Sequence, residues 1–119
     1  MSEEKSFVSK LSFKLVKKLK RYIDVLEEAN SIVLLLLIDE LKEATVYKMS
    51  KELSKRTGGE IYLYPQSVNL RFESFLKAKL VDFREEEGEK PTRYYFLIED
   101  GKKVVEALKK FLKDLEATP

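Results

Sequence analysis

The sequence predicts a mostly helical domain with one small β-hairpin towards its C-terminal end. Three observations carry that prediction. Apolar residues recur at spacings of three and four over most of the chain, as in helices with one buried stripe. Two short runs, residues 81–84 and 93–98, break that rhythm on either side of Glu87-Gly88-Glu89-Lys90-Pro91, a turn composition. The length of 119 residues suits a single domain with one modest core.

Composition narrows the class. Hydrophobic residues make up 44% and charged residues 37%, which is the balance of a soluble globular chain. The longest apolar run, residues 32–38, falls far short of the ~20 residues of a membrane span. Nothing at the N-terminus reads as a signal peptide. A cytoplasmic protein without a membrane partner is therefore expected. Cysteine and histidine are both absent. That removes disulfides, thiolate metal sites, the thiol nucleophile and the commonest general base. No catalytic residue, metal or cofactor is assigned, and the chain is not expected to be an enzyme. Abundant Lys and Glu, with Gln66 the only glutamine, resembles a protein from a hot environment.

Taken in order, Ser2 followed by Glu3 and Glu4 suits a helix start, with acids near the positive end of the dipole. Val8, Leu11, Leu15, Leu19, Tyr22 and Leu26 then form one apolar stripe, so a helix is expected over residues 3–29. Asn30-Ser31 reads as its end and as a new cap. Residues 32–38 are apolar throughout, and the helix-favouring run from Asp39 to Glu43 continues them, giving a central buried helix. Thr45 caps the next helix, Val46–Arg56, with Val46, Met49 and Leu53 inward and Gly58-Gly59 as its stop. Tyr62 lies in a short extended piece, and Pro65 opens a helix to about Lys79. The hairpin follows. Glu99–Ala117 is a last amphipathic helix carrying Val104, Val105, Leu108, Phe111, Leu112 and Leu115 on one side.

Three helices followed by a two-stranded hairpin is the winged helix-turn-helix plan, here flanked by N- and C-terminal amphipathic helices. Residues 31–98 would be its core. Ser67-Val68 with Phe72, Phe75 and Leu80-Val81 resembles the recognition-helix signature of PadR-like winged-helix regulators. Residues 93–97, then Glu99-Asp100-Gly101, resemble that family's second wing strand and its entry to the last helix. Tyr47, Leu53 and Thr57-Gly58-Gly59 are similar to its second helix. The chain departs from the pattern at four places. Lys42-Glu43-Ala44-Thr45 replaces a Gly-containing turn, Asn69-Leu70 replaces Tyr-Pro, Lys79 replaces a Gly, and Ile98 replaces a capping Thr. Small archaeal Lrp-like winged-helix regulators, which dimerise through terminal helices, are a second resemblance. Either one implies a DNA-binding transcription regulator.

The residues themselves support a DNA-facing surface. With Val68 set at zero, Phe72, Phe75 and Leu76 fall within about 80°, while Gln66, Lys77 and Leu70 fall at about 160°, 180° and 200°. Ser67, Asn69, Glu73 and Ser74 flank that far side. Gln66 and Asn69 can pair bidentately with adenine edges, and Leu70 can cover a thymine methyl. Arg71, nearer the core edge, suits a phosphate. Beside this helix the hairpin brings Arg84, Lys90, Thr92 and Arg93. Polar residues of this kind also decorate any solvent-facing helix or hairpin.

Four acids, Glu85, Glu86, Glu87 and Glu89, stand near the wing tip. Either the basic second strand faces DNA while they turn away, or they sit against a basic partner such as the Lys14–Arg21 run of another subunit. That run is otherwise a solvated face or a further phosphate contact. The terminal helices are expected to form a homodimer through Leu11, Leu15, Leu19, Tyr22, Leu26, Leu108, Phe111, Leu112 and Leu115, the alternative being that both fold back onto their own domain. Tyr62, Tyr64, Tyr94 and Tyr95 complete a core edge or line an effector pocket, with no ligand assigned. The expected function is a homodimeric, sequence-specific regulator of double-stranded DNA, acting as a repressor by occupancy. A winged-helix protein-interaction module, or a nucleoid-type protein with little sequence preference, are the alternatives.

Overall fold

The structure, a computed structural model, describes Val8 and residues 26–117. The described chain runs α1 (Leu26–Leu41), α2 (Val46–Arg56), α3 (Pro65–Lys77), β1 (Val81–Glu86), β2 (Thr92–Leu97) and α4 (Glu99–Ala117). This is a mostly helical winged helix with a two-stranded antiparallel hairpin. The stripe residues Leu11, Leu15, Leu19 and Tyr22 of the expected N-terminal helix lie outside the described residues. So does the lysine run Lys14–Arg21.

α1 is the axis of the core. Residues 33–38 are all buried, as a helix that is apolar all round must be. The break expected at Asn30-Ser31 does not occur, because α1 runs through both residues. Both are only half-buried, so their amides and hydroxyls reach the surface while Ala29 and Val33 on either side are sealed in the core. Packing of the apolar run outweighs the weak local preference of Asn and Ser for caps. α4 lies against α1, and Lys109 of α4 donates to Asp39 of α1 at 2.9 Å.

α2 begins as the sequence predicts. The Thr45 hydroxyl accepts the Lys48 N–H at 3.1 Å, satisfying one orphan donor of the first turn. It ends in a Schellman arrangement: Gly58 takes φ +63°, and the Gly58 and Gly59 N–H groups donate to the carbonyls of Lys55 and Ser54. The extended link to α3 is tied back onto α2. Ser50 donates to the Leu63 carbonyl at 2.8 Å, and the Thr57 hydroxyl accepts the Ile61 N–H at 3.1 Å. These bonds set how far α3 stands from α2.

α3 starts with Pro65 in its first turn and buries Val68, Phe72 and Phe75, the stripe its spacing predicts. Phe72 packs on Tyr95 of β2 at 4.5 Å between ring centroids, and Tyr95 in turn meets Phe83 of β1 at 5.7 Å. The hairpin pairs Val81 with Leu97 at its base and Glu86 with Thr92 near its tip. The free edge of β2 is partly covered, because Ala44 and Tyr95 exchange N–H to carbonyl bonds of 3.0 and 2.9 Å. The wing is therefore fastened both to α3 and to the α1–α2 link. No helix among the described residues is long and apolar enough to cross a membrane.

Candidate nucleic-acid interface

The N-terminal half of α3 and the second wing strand face each other across an open groove of about 910 Å³. Gln66, Asn69 and Leu70 form one wall; Lys90, Thr92 and Arg93 form the other. Pro65 explains why these α3 residues are presented at a helix start, with the core stripe Val68, Phe72 and Phe75 turned to the opposite side. Leu70 is 67% exposed. An apolar side chain so placed, between two amides on a polar wall, is left largely uncovered by the described residues.

The structure separates the remaining α3 candidates from this groove. Ser67 is half-buried, and Ser74 and Lys77 are exposed further along the helix. Arg71 folds along its own helix. Its Nη1 donates to the Ser67 carbonyl at 3.1 Å, and its Nε is buried without a hydrogen-bond partner among the described residues.

The wing residues divide by strand parity. Glu85 pairs in register with Arg93 and Phe83 with Tyr95, whereas Arg84 pairs with Tyr94 and Glu86 with Thr92. Because successive side chains alternate between faces, Arg93 and Arg84 point to opposite sides of the hairpin. Arg93 lies on the α3 side. Its guanidinium stacks 4.1 Å from the Phe83 centroid, with Glu85 at 3.4 Å and Glu73 of α3 at 3.7 Å. Arg84 lies on the other side, gripping Glu43 of the α1–α2 link through Nη2 at 2.6 Å and Nε at 3.1 Å. It also covers the Tyr94 ring at 4.4 Å. The Arg84 hydrogen bonds hold the Glu43 carboxyl below the ordinary glutamate range, and Glu43 in turn holds Arg84 above its ordinary value. Arg84 thus fastens the wing and does not reach the groove.

The four acids do not act as a block. Glu85 sits beside Arg93 on the groove side, while Glu86 accepts the Tyr94 hydroxyl at 3.1 Å on the other face. That bond raises the Tyr94 pKa above its ordinary value. Glu87 and Glu89 are exposed in the turn. Nor do the four tyrosines gather into a pocket. Tyr95 is 2% exposed in the core, Tyr94 is on the wing, and Tyr62 and Tyr64 meet edge to face at 5.1 Å on the α2–α3 link.

Sequence reasoning about the site missed Tyr47. It stands in the first turn of α2, 75% exposed, and borders the groove from the α2 side. The available signal was its position off the apolar stripe of Val46, Met49 and Leu53. Of the expected dimer residues on α4, Leu112 and Leu115 are buried within the chain's own core, whereas Phe111 is 43% exposed and Leu108 half-buried. An apolar residue at stripe spacing serves the nearest available core first, and α1 supplies it.

No protein-family model matches the sequence, and no curated protein does. Solved structures do match. A PadR-like transcriptional regulator from Bacillus cereus is similar at a TM-score of 0.65 and 19% identity, over 78% of this chain and 89% of that one. A transcriptional regulator from Clostridium thermocellum gives 0.64 and 21%, over 81% and 88%. A PadR family transcription regulator from Clostridium difficile gives 0.61 and 19%, over 70% and 88%. At such identities the likeness establishes the fold.

Proposed function

We propose that this chain, which has the fold of the PadR-like winged-helix regulators, is a double-stranded-DNA-binding transcription regulator that acts as a homodimer and represses by occupying its site. The groove carries the reading. It sets the two amide side chains and the exposed Leu70 of α3 opposite the basic strand of the wing. A helix start in the major groove reads base edges with its first residues, while flanking cations position the backbone. Gln66 and Asn69 are suited to adenine edges, Leu70 to a thymine methyl, and Lys90, Thr92 and Arg93 to phosphate oxygens. Ser67, Arg71, Ser74 and Lys77 extend the surface along α3. Arg84 keeps the wing in place.

Selection of bound sites from a random duplex library tests this directly. Sites with A·T pairs under Gln66 and Asn69, arranged as a palindrome, are expected. Arg93→Ala should weaken binding to all sequences alike, and Asn69→Ala should relax preference at single positions. Equal loss on every sequence for Asn69→Ala would overturn its base-reading role. Uniform affinity for every duplex would instead assign a nucleoid-type function.

One observation favours a second reading, a protein-interaction module. Arg93 already has Glu73 and Glu85 beside it, and Glu87 and Glu89 stand exposed at the wing tip. Failure to bind random duplex DNA at low salt and micromolar protein would select that reading.

A further inference from the structure

The hairpin carries two arginines, and they are held in different ways. Arg84, on the face turned from α3, grips Glu43 with two bonds of 2.6 and 3.1 Å. Arg93, on the groove side, has two carboxylates from two elements beside it, and neither is as close. Glu85 of β1 stands 3.4 Å from its Nε, and Glu73 of α3 stands 3.7 Å from its Nη1. The guanidinium also lies over the Phe83 ring, 4.1 Å from the centroid. Arg93, Glu73 and Glu85 are all partly exposed, so water and a ligand can reach the cluster.

These charges decide what the groove offers. Lys90 and Arg93 are the cations of its lining, and Glu73 and Glu85 match them in number, so the wing side of the groove has no excess of positive charge. Arg93 does not need two acids to fix its place. Stacking on Phe83 already localises the guanidinium, and one bidentate acid, as at Arg84, would hold it. Two acids on one guanidinium leave a net negative charge at the point where a phosphate is expected. An exposed ion pair shifts an equilibrium by about fivefold at most. Two such pairs therefore hold Arg93 back by roughly tenfold and still let it go.

We infer that Glu73 and Glu85 form a carboxylate clamp on Arg93, which withholds this cation from phosphate and so limits the affinity of the chain for any duplex. The inference rests on the DNA reading above and adds Glu73 to it, as a residue that acts on the backbone contact through Arg93. The clamp bears on a phosphate contact and not on a base edge, so its effect is independent of sequence. It also gives the acids of the groove a purpose without a protein partner. A regulator with a restrained wing is retained less by random DNA, which supplies nearly all the competing sites.

The test is affinity for a labelled random-sequence duplex of about three helical turns at low salt, read by fluorescence anisotropy on the full chain. E73Q/E85Q keeps the size of both side chains and should bind about tenfold more tightly than wild type. E87Q/E89Q removes the same charge from the exposed wing turn, outside the groove lining, and should gain clearly less. R93A decides whether the gain passes through Arg93. Its cost should be at least about threefold larger in the E73Q/E85Q background than in wild type, because only there is the cation free to meet phosphate. No gain in E73Q/E85Q, with wild type binding normally, overturns the clamp alone. A loss of affinity with wild-type thermal melting also overturns it, since the carboxylates would then position Arg93 for phosphate. Equal gains in the two glutamate double variants, or an equal cost of R93A in both backgrounds, leave only net charge and overturn it too. A wild-type chain that leaves the duplex free removes the DNA reading, and the clamp with it.

Discussion

Lys79 holds a backbone conformation that suits it poorly. Its φ is +61°, and the bonds around it form a Schellman end to α3: the Lys79 N–H donates to Leu76 and the Leu80 N–H to Phe75. Lys42, at φ +73°, ends α1 with its N–H on the Ile38 carbonyl. α2 uses Gly58 at the equivalent place. A left-handed conformation costs an L-residue roughly 1–2 kcal/mol, and glycine escapes that cost at the expense of greater freedom in the unfolded chain. Lys79→Gly is therefore expected to stabilise the fold by about 0.5–1 kcal/mol, seen as a higher urea midpoint with an unchanged slope. Lys79→Ala, which keeps the Cβ, should give little or none of this gain. A midpoint in Lys79→Gly at or below wild type would refute the account. Lys79 stands where the PadR-like pattern carries glycine, and Lys42 opens the stretch that replaces its Gly-containing turn, so the turns themselves were legible from position. What sequence could not convey is that the departures leave the geometry intact, since hydrogen bonding to helix carbonyls determines it.

The elements meet most tightly where α4 begins. Gly101 is buried in its first turn, and a Cβ built there would stand 2.0 Å from the Leu80 carbonyl oxygen and 3.0 Å from Leu97 Cδ2. The Leu80 carbonyl cannot retreat easily, because it accepts the Ile98 N–H at 3.1 Å. Gly→Ala inside a helix ordinarily stabilises by roughly 0.5–1 kcal/mol. Here the sign reverses. Gly101→Ala should destabilise by about 1–3 kcal/mol, as overpacking does, lowering the melting temperature by several degrees. An unchanged or higher melting temperature would show that α4 can shift away from the α3–β1 turn. The elements were largely readable from periodicity, with α2, α3 and α4 beginning where Thr45, Pro65 and Glu99 imply. Asn30-Ser31 misled because cap preferences are local and the apolar run crossing them is not. The alternation in residues 81–84 also told which side of the wing each residue takes. It did not tell that Arg84 meets Glu43, a contact between residues forty-one positions apart that only packing of the wing on the α1–α2 link creates.

At the scale of the whole molecule, the proposed function needs two α3 helices, and one chain supplies one. The buried Leu112 and Leu115 withdraw half of the expected α4 dimer residues into the chain's own core, which leaves Phe111 with Leu108 and Val104 beside it. A large ring 43% exposed on an otherwise charged helix is the strongest apolar feature that α4 offers outward. A homodimer built on it must hold two α3 helices for grooves about 34 Å apart if both are to read DNA. Light scattering behind size exclusion should then give twice the chain mass of 13.9 kDa. Phe111→Glu should return the single-chain mass without loss of helical content, because the residue is not part of the buried core. Linking two half-site contacts raises affinity by about 10²–10⁴ over one. The variant should therefore lose at least a hundredfold on a palindromic site yet bind a single half-site as wild type does. A Phe111→Glu protein that stays dimeric would move the interface to the residues that precede α1. A monomeric wild type with full affinity would instead mean that one α3 and one wing suffice.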